Sequence, residues 1–164
     1  MKRFEQIHYL SWDHQSTLME AFKIQKYIDS LSNEELIQKR EKTIQHYEND
    51  LLLHFRTEEE CLLPRMILKQ NVNSDLIRKT LDDHILIHSL FLLLKKEKSD
   101  IQKIKSILKE ISKALNDHIR FEERELFEHS QSLLKAEDFN EIQQEIFKRY
   151  GDKYKSSSCQ LPEF

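Results

Sequence analysis

The chain has 164 residues, a formal net charge of −3, one glycine, two prolines and two cysteines. That length suits one domain, which buries roughly 70% of the surface its unfolded chain exposes. Near-neutral, interspersed charge excludes the basic footprint of a nucleic-acid binder, and the scarcity of Gly and Pro excludes a sheet-rich, turn-rich fold.

Charged residues make up 34% and are dominated by Glu and Lys, which are good helix formers. An all-α chain is therefore expected. Residues 1–11 mix polar and apolar types, with Glu5 and His8 interrupting any apolar run, so no secretory signal is expected there. The first helix is expected from about Ser11 to Ser30. Asn33 fits the N-cap of a second helix, with Glu34 and Glu35 placed for the macrodipole. This long helix is expected to reach Leu63 or a little beyond Pro64, with a kink or an end just before the proline. Asn71-Val72-Asn73-Ser74 is a break, and Ser74 can cap the third helix. Ser99-Asp100 is the next break, and either residue can cap the fourth helix, which runs to about His129 or Leu133. A shorter fifth helix is expected from Ala136 to Tyr150, ended by Gly151.

One domain over 1–151 and a flexible, Ser-rich tail over 152–164 complete the expected organisation. The longest apolar run, Leu90 to Leu94, is too short to span a bilayer. Cys61 and Cys159 lie far apart and form no Cys-x-x-Cys, which points to a reducing, cytoplasmic setting.

Heptad rows are readable in these segments. Ile37, Ile44, Leu51 and Glu58 are seven apart, as are Tyr47, His54 and Cys61. Ile77, His84 and Phe91 form a row in the third helix. Ile104, Ile111, His118 and Glu125 form one in the fourth, beside Leu108, Leu115 and Glu122. His14, Ala21 and Ile28 form one in the first. Such spacing suits helices packed at small crossing angles. His and Glu stand where the pattern asks for Leu or Ile.

His54-x-x-x-Glu58 and His118-x-x-x-Glu122 are two copies of one arrangement that aims an imidazole and a carboxylate at one point. His84-x-x-x-His88 adds two imidazoles and His14 one more. In an up-down bundle, residues at one height sit symmetrically about each turn. The midpoints between these groups fall at positions 35, 70 and 102, close to the three expected turns. A buried layer of imidazoles and two carboxylates is very costly without a cation. Two divalent metals bridged by carboxylates resolve that cost, and nitrogen-rich ligation without thiolate suits iron better than magnesium or calcium.

The segments Leu10-Ser11-Trp12-Asp13-His14, His54-Phe55-Arg56-Thr57-Glu58-Glu59-Glu60, Asp82-Asp83-His84-Ile85-Leu86-Ile87-His88 and His118-Ile119-Arg120-Phe121-Glu122-Glu123-Arg124-Glu125-Leu126-Phe127 resemble the hemerythrin-like (HHE cation-binding) proteins. The resemblance implies an antiparallel up-down four-helix bundle, here with a short additional C-terminal helix. It implies a bridged pair of iron ions that can carry an oxo or hydroxo group. His14 and His54 would hold one ion, His84 and His118 the other, and Glu58 and Glu122 would bridge. The oxygen carriers place their last carboxylate five residues after the histidine, which is Glu123 here. The four-residue spacing favours Glu122. His88 lies at the edge of its seam and stands as an optional fifth imidazole.

His8, His46 and His129 read as boundary histidines away from the site. Glu59, Glu60, Glu123 and Glu125 read as solvated or paired with Arg and Lys. Arg56 and Arg120 read as outward-facing. Tyr47, Phe55, Phe91, Phe121 and Phe127 read as core, Cys61 as an inert core thiol and Trp12 as a packing anchor. The leading functional expectation is a protein that binds or senses oxygen, nitric oxide or peroxide, or handles iron under oxidative stress. A di-iron enzyme and a helical interaction module with a structural metal are the alternatives. The expected partners are a small diatomic ligand and a redox partner or a second copy of the chain.

Overall fold

Three of the helices begin where the sequence supplies a side-chain acceptor for their free N–H groups. A computed structural model describes residues 8–158, with side chains for 10–149 and 151. Helix α1 is His8–Tyr27, followed by a tight turn over Ile28–Ser30. Helix α2 runs unbroken over 33–67, α3 is Ser74–Lys96, α4 covers 101–133 and α5 is Ala136–Ser158. No strand occurs among the described residues.

The start signals fall one residue from two of the expected caps. Ser32, not Asn33, caps α2: its Oγ accepts from the Glu35 N–H at 3.3 Å while Glu35 accepts from the Ser32 N–H at 2.8 Å. This reciprocal box occupies two donors at once. Asn73, not Ser74, caps α3 by accepting from the Asp75 N–H. Asp100 caps α4 as expected.

Helices α1 to α4 run antiparallel. From α1 to α2 the pairs Glu20–Lys39, Thr17–His46 and His14–His54 descend one helix while climbing the other. Glu48–Lys95 and Glu59–His84 do the same for α2 and α3. Asp29–Lys109, from the turn after α1, and His14–Glu123 tie that end of the chain to α4. Arg40 of α2 donates to the carbonyls of Leu94, Lys95 and Glu97, covering the free C-terminal acceptors of α3.

The fold departs from a four-helix bundle with a short appendage. Helix α5 has 23 residues, as many as α3, and makes this a five-helix protein. Gly151 does not end it. No glycine has a positive φ among the described residues, so the left-handed cap that favours glycine is absent and the helix continues through it. Phe139, Ile142 and Ile146 are buried against Cys61, Leu62, Leu63, Met66, Leu126 and Phe127. Arg65–Glu145, Lys69–Asp138 and Arg149–Glu60 flank that contact.

Pro64 does not end α2, which continues through it to Ile67. The preceding segment, Glu58–Leu62, is a wide turn in which the Leu63 N–H reaches back five residues to the Glu58 carbonyl. That widening accommodates a ring that a regular four-residue ladder would exclude. A matching wide turn occupies Glu122–Leu126 in α4, and another lies at Tyr47–Leu51. Each inserts extra backbone into the turn and shifts the facing of the residues beyond it. Glu125, seven residues after His118, is therefore exposed, and Leu126 takes the core position. Trp12 also departs from expectation: it is 41% exposed rather than a buried anchor.

Two apolar clusters result. One, at the α5 end, includes Leu62, Met66, Phe127 and Phe139. The other includes Ile28, Leu36, Phe91, Ile104, Leu108 and Ile111. Burying each such side chain contributes about 1.5–3 kcal/mol. Between them lies the only part of the interior where ionisable groups from all four bundle helices meet, among the described residues.

Candidate metal centre

His14, His54, His84 and His118 are each 3% exposed or less, and Glu58 and Glu122 are fully buried. They form two groups. His14, His54, Glu58 and Glu122 place one donor atom each within 4.8 Å of one another, as do Glu58, His84, His118 and Glu122. The two carboxylates belong to both groups.

The inward atoms are the Nε2 nitrogens. His14 Nε2 lies 3.0 Å from His54 Nε2 and 3.1 Å from Glu122 Oε2. His54 Nε2 lies 3.5 Å from Glu58 Oε1, and His84 Nε2 lies 3.4 Å from Glu58 Oε2. His118 Nε2 lies 3.3 Å from Glu122 Oε2.

A second ring of carboxylates faces the opposite nitrogens. His14 Nδ1 donates to Glu123 Oε1 at 2.8 Å, and His84 Nδ1 donates to Glu59 Oε1 at 2.7 Å. Asp13 Oδ2 stands 3.4 Å from His54 Nδ1, and Asp83 Oδ2 stands 3.6 Å from His118 Nδ1. A proton held on Nδ1 leaves Nε2 free to donate its lone pair inward. The arrangement has internal two-fold logic. The residue before His14 serves His54, and the residue before His84 serves His118. The residue after Glu58 serves His84, and the residue after Glu122 serves His14.

Sequence reasoning missed these four. Glu59 and Glu123, expected to be solvated or paired with Arg or Lys, are partners of buried imidazoles. At a regular helical pitch, neighbours of an inward residue point away. The wide turns that start at Glu58 and Glu122 advance less per residue, so two successive carboxylates engage the interior. The repeated Asp-His and Glu-Glu dipeptides were the available signal. Glu60 and Glu125 follow expectation, the first paired with Arg149 and the second exposed. Arg56 and Arg120 are exposed.

The structure does not bring His88 into either group. Its Nδ1 is 2.8 Å from the Tyr47 hydroxyl, and its ring stands edge-on to Phe55. His46 Nδ1 donates to Asp50, and His129 accepts from the Asn73 N–H; both are boundary histidines. The side chain of His8 and all of Cys159 lie outside the described residues. Cys61 is buried, and burial pushes its thiol up to about 11, which leaves it inert near neutrality.

Electrostatics explain how such a layer survives. Burial opposes charge on His14, yet Glu122 and Glu123 outweigh it and raise the ring to about 10. At His84 burial is likewise outweighed by Glu58 and Glu59, giving about 9. Burial alone would raise Glu58, but His54 and His84 hold it at about 2. Protons thus compensate the carboxylates of the metal-free chain.

That compensation is incomplete. Both oxygens of Glu58, both of Glu122, Nε2 of His84 and both ring nitrogens of His118 are buried without a hydrogen-bond partner. Each such orphan costs about 1–3 kcal/mol, more for a charged group. A cation held among the imidazoles and carboxylates of either group would satisfy inward-facing atoms of this set. The donor set therefore fits a metal.

Aromatic rings wall the layer. Phe127 stacks on His14 at 5.4 Å with 5° between the planes, and Phe55 lies 4.2 Å from His84. Beside the layer is a cavity of about 10 Å³ of water-sized space. It is lined by Asp13, His14, Thr17, Leu51, His54, Phe55, Leu115, His118 and Ile119. Thr17 Oγ1 is 3.1 Å from His46 Nε2, and His46 Nδ1 is 2.8 Å from the exposed Asp50.

Comparison with curated proteins and with solved structures gives no match. The family model described as the hemerythrin HHE cation-binding domain matches residues 6–129, three quarters of the chain and every residue of both donor groups. The chain belongs to the hemerythrin HHE cation-binding family.

Proposed function

We propose that the protein holds a bridged pair of iron ions and binds a small ligand, oxygen, nitric oxide or peroxide, in the cavity beside it. The observation that carries this reading is the pair of four-donor groups sharing Glu58 and Glu122 next to a small cavity with room for about one water-sized molecule. His14 and His54 would hold one ion, His84 and His118 the other. When bound, an iron pair supplies reversible electron transfer to a small ligand.

The protein's own residues perform the rest. Glu123, Glu59 and Asp13 fix ring orientation and hold the Nδ1 protons outward, while Asp83 sets a negative charge beside the His118 ring. Phe55 and Phe127 limit ring rotation. Leu51, Phe55, Leu115 and Ile119 keep bulk water from the cavity, which strengthens every electrostatic interaction inside. A closed, four-coordinate structural site has no use for such a cavity.

One observation favours a second reading, reductive turnover rather than reversible binding. With Nδ1 of His46 donating to Asp50, its Nε2 accepts from Thr17, so a hydrogen-bonded line joins the cavity wall to the surface. Such a line can deliver protons to a bound ligand. Stopped-flow mixing of the iron(II)-loaded protein with oxygen or nitric oxide separates the two. A stable adduct that reverses on ligand removal supports binding. Irreversible oxidation with product, slowed by Thr17→Val, supports turnover. No spectral response to either gas would contradict both.

A further inference from the structure

Helix α3 presents an apolar stripe to solvent. Ile85, Leu86, Leu92 and Leu93 are 64%, 51%, 56% and 52% exposed. At the helical pitch these four, with Asp82, Ser89 and Lys96, lie within roughly 60° of one line along the helix, centred on Ser89. An exposed strip of four large aliphatic residues on one helix is unusual for a surface that meets only water.

The stripe is a chemical palindrome about Ser89. Three and four positions on either side stand aliphatic residues: Ile85 and Leu86 before it, Leu92 and Leu93 after it. Seven positions on either side stand opposite charges, Asp82 and Lys96. Both charges are exposed, and neither makes an ion pair or hydrogen bond with any described residue. The neighbouring charges are already matched, Arg78 with Asp75 and Lys79 with Asp83. The centre residue is small, and its hydroxyl already donates to the Ile85 carbonyl at 2.8 Å, so close approach there strands no polar group.

From this symmetry we infer that α3 pairs with α3 of a second copy of this chain, antiparallel, about a two-fold axis at Ser89. In that pairing Ile85 faces the partner's Leu93, and Leu86 faces the partner's Leu92. Asp82 faces the partner's Lys96, and the contact occurs twice, as an isologous interface requires. An unrelated partner has no reason to impose a palindrome. The other exposed apolar residues do not compete equally: on α1, Lys26 lies over the rings of both Phe22 and Tyr27. The interface lies on the outer face of α3, opposite His84, so it leaves the metal centre untouched and stands independently of the function proposed for it.

Sedimentation equilibrium of the full, metal-loaded chain from 1 to 200 μM is the test. A reversible dimer is expected. Asp82→Lys and Lys96→Glu should each raise its dissociation constant roughly tenfold, by converting two attractive contacts into repulsive ones. The combined D82K/K96E chain should return close to the parent value, and Ile85→Glu should give a monomer with unchanged helical content and metal. A parent chain that stays monomeric throughout the range would overturn the pairing and leave the stripe to a different apolar partner. Single reversals without effect, or a charge swap that fails to restore association, would overturn this interface.

Discussion

At the residue scale, the site is a balance between protons and metal. His14 and His84 have raised pKa values, about 10 and 9, because buried carboxylates surround them. A group whose pKa rises on folding stabilises the fold fully below its unfolded value, near 6.5, and loses that contribution as pH climbs through the folded value. The metal-free protein should therefore melt lower at pH 9.5 than at pH 6.5, by roughly 5 °C or more. Metal bound to those nitrogens replaces the protons and should flatten the dependence. Calorimetric scans of both forms across that range check the sign. The outer carboxylates make a second prediction. Glu123→Gln keeps the shape but weakens the hold on the His14 ring, and iron affinity by chelator competition should fall about 10- to 100-fold.

The inward-facing donors were readable because His54, His84, His118, Glu58 and Glu122 break rows that otherwise read Ile, Leu or Phe. The outer carboxylates were not, since Glu59 and Glu123 adjoin other acidic residues, and a regular pitch turns them outward. Only the wide turns bring them in.

At the element scale, local chemistry decides where helices start but not where they stop. Ser32 and Glu35 close the box at the head of α2, and Ser32→Ala should cost about 1 kcal/mol, read as a lower midpoint in urea with an unchanged slope. Pro64 and Gly151 looked like stop signals in the sequence. The wide turn before Pro64 and the contacts of Phe139, Ile142 and Ile146 that hold α5 in place override them. Tertiary packing outweighs a propensity worth about 1 kcal/mol for one glycine. Phe139→Ala, which empties a fully buried position under the end of α2, should destabilise by about 3–5 kcal/mol. A thermal melt that hardly moves would mean that α5 is a loose appendage.

At the scale of the whole molecule, a polar layer is held between two apolar clusters. The turns and the common height of the ligands were legible, because three midpoints between ligand groups coincide with three breaks in the pattern. The weight of α5 was not, since its contacts reach α2 and α4 far away in sequence. Because most of the apolar burial lies in the two clusters on either side of the layer, removal of metal should leave helical content nearly unchanged while lowering the melting temperature. The most direct test of the central claim is the iron content of the chain after anaerobic loading with iron(II), for the parent and for His54→Ala combined with His118→Ala. Two irons per parent chain, and none retained by a variant that keeps its helices, is the expected result. A folded variant that still carries two irons would contradict the ligand assignment and the function built on it.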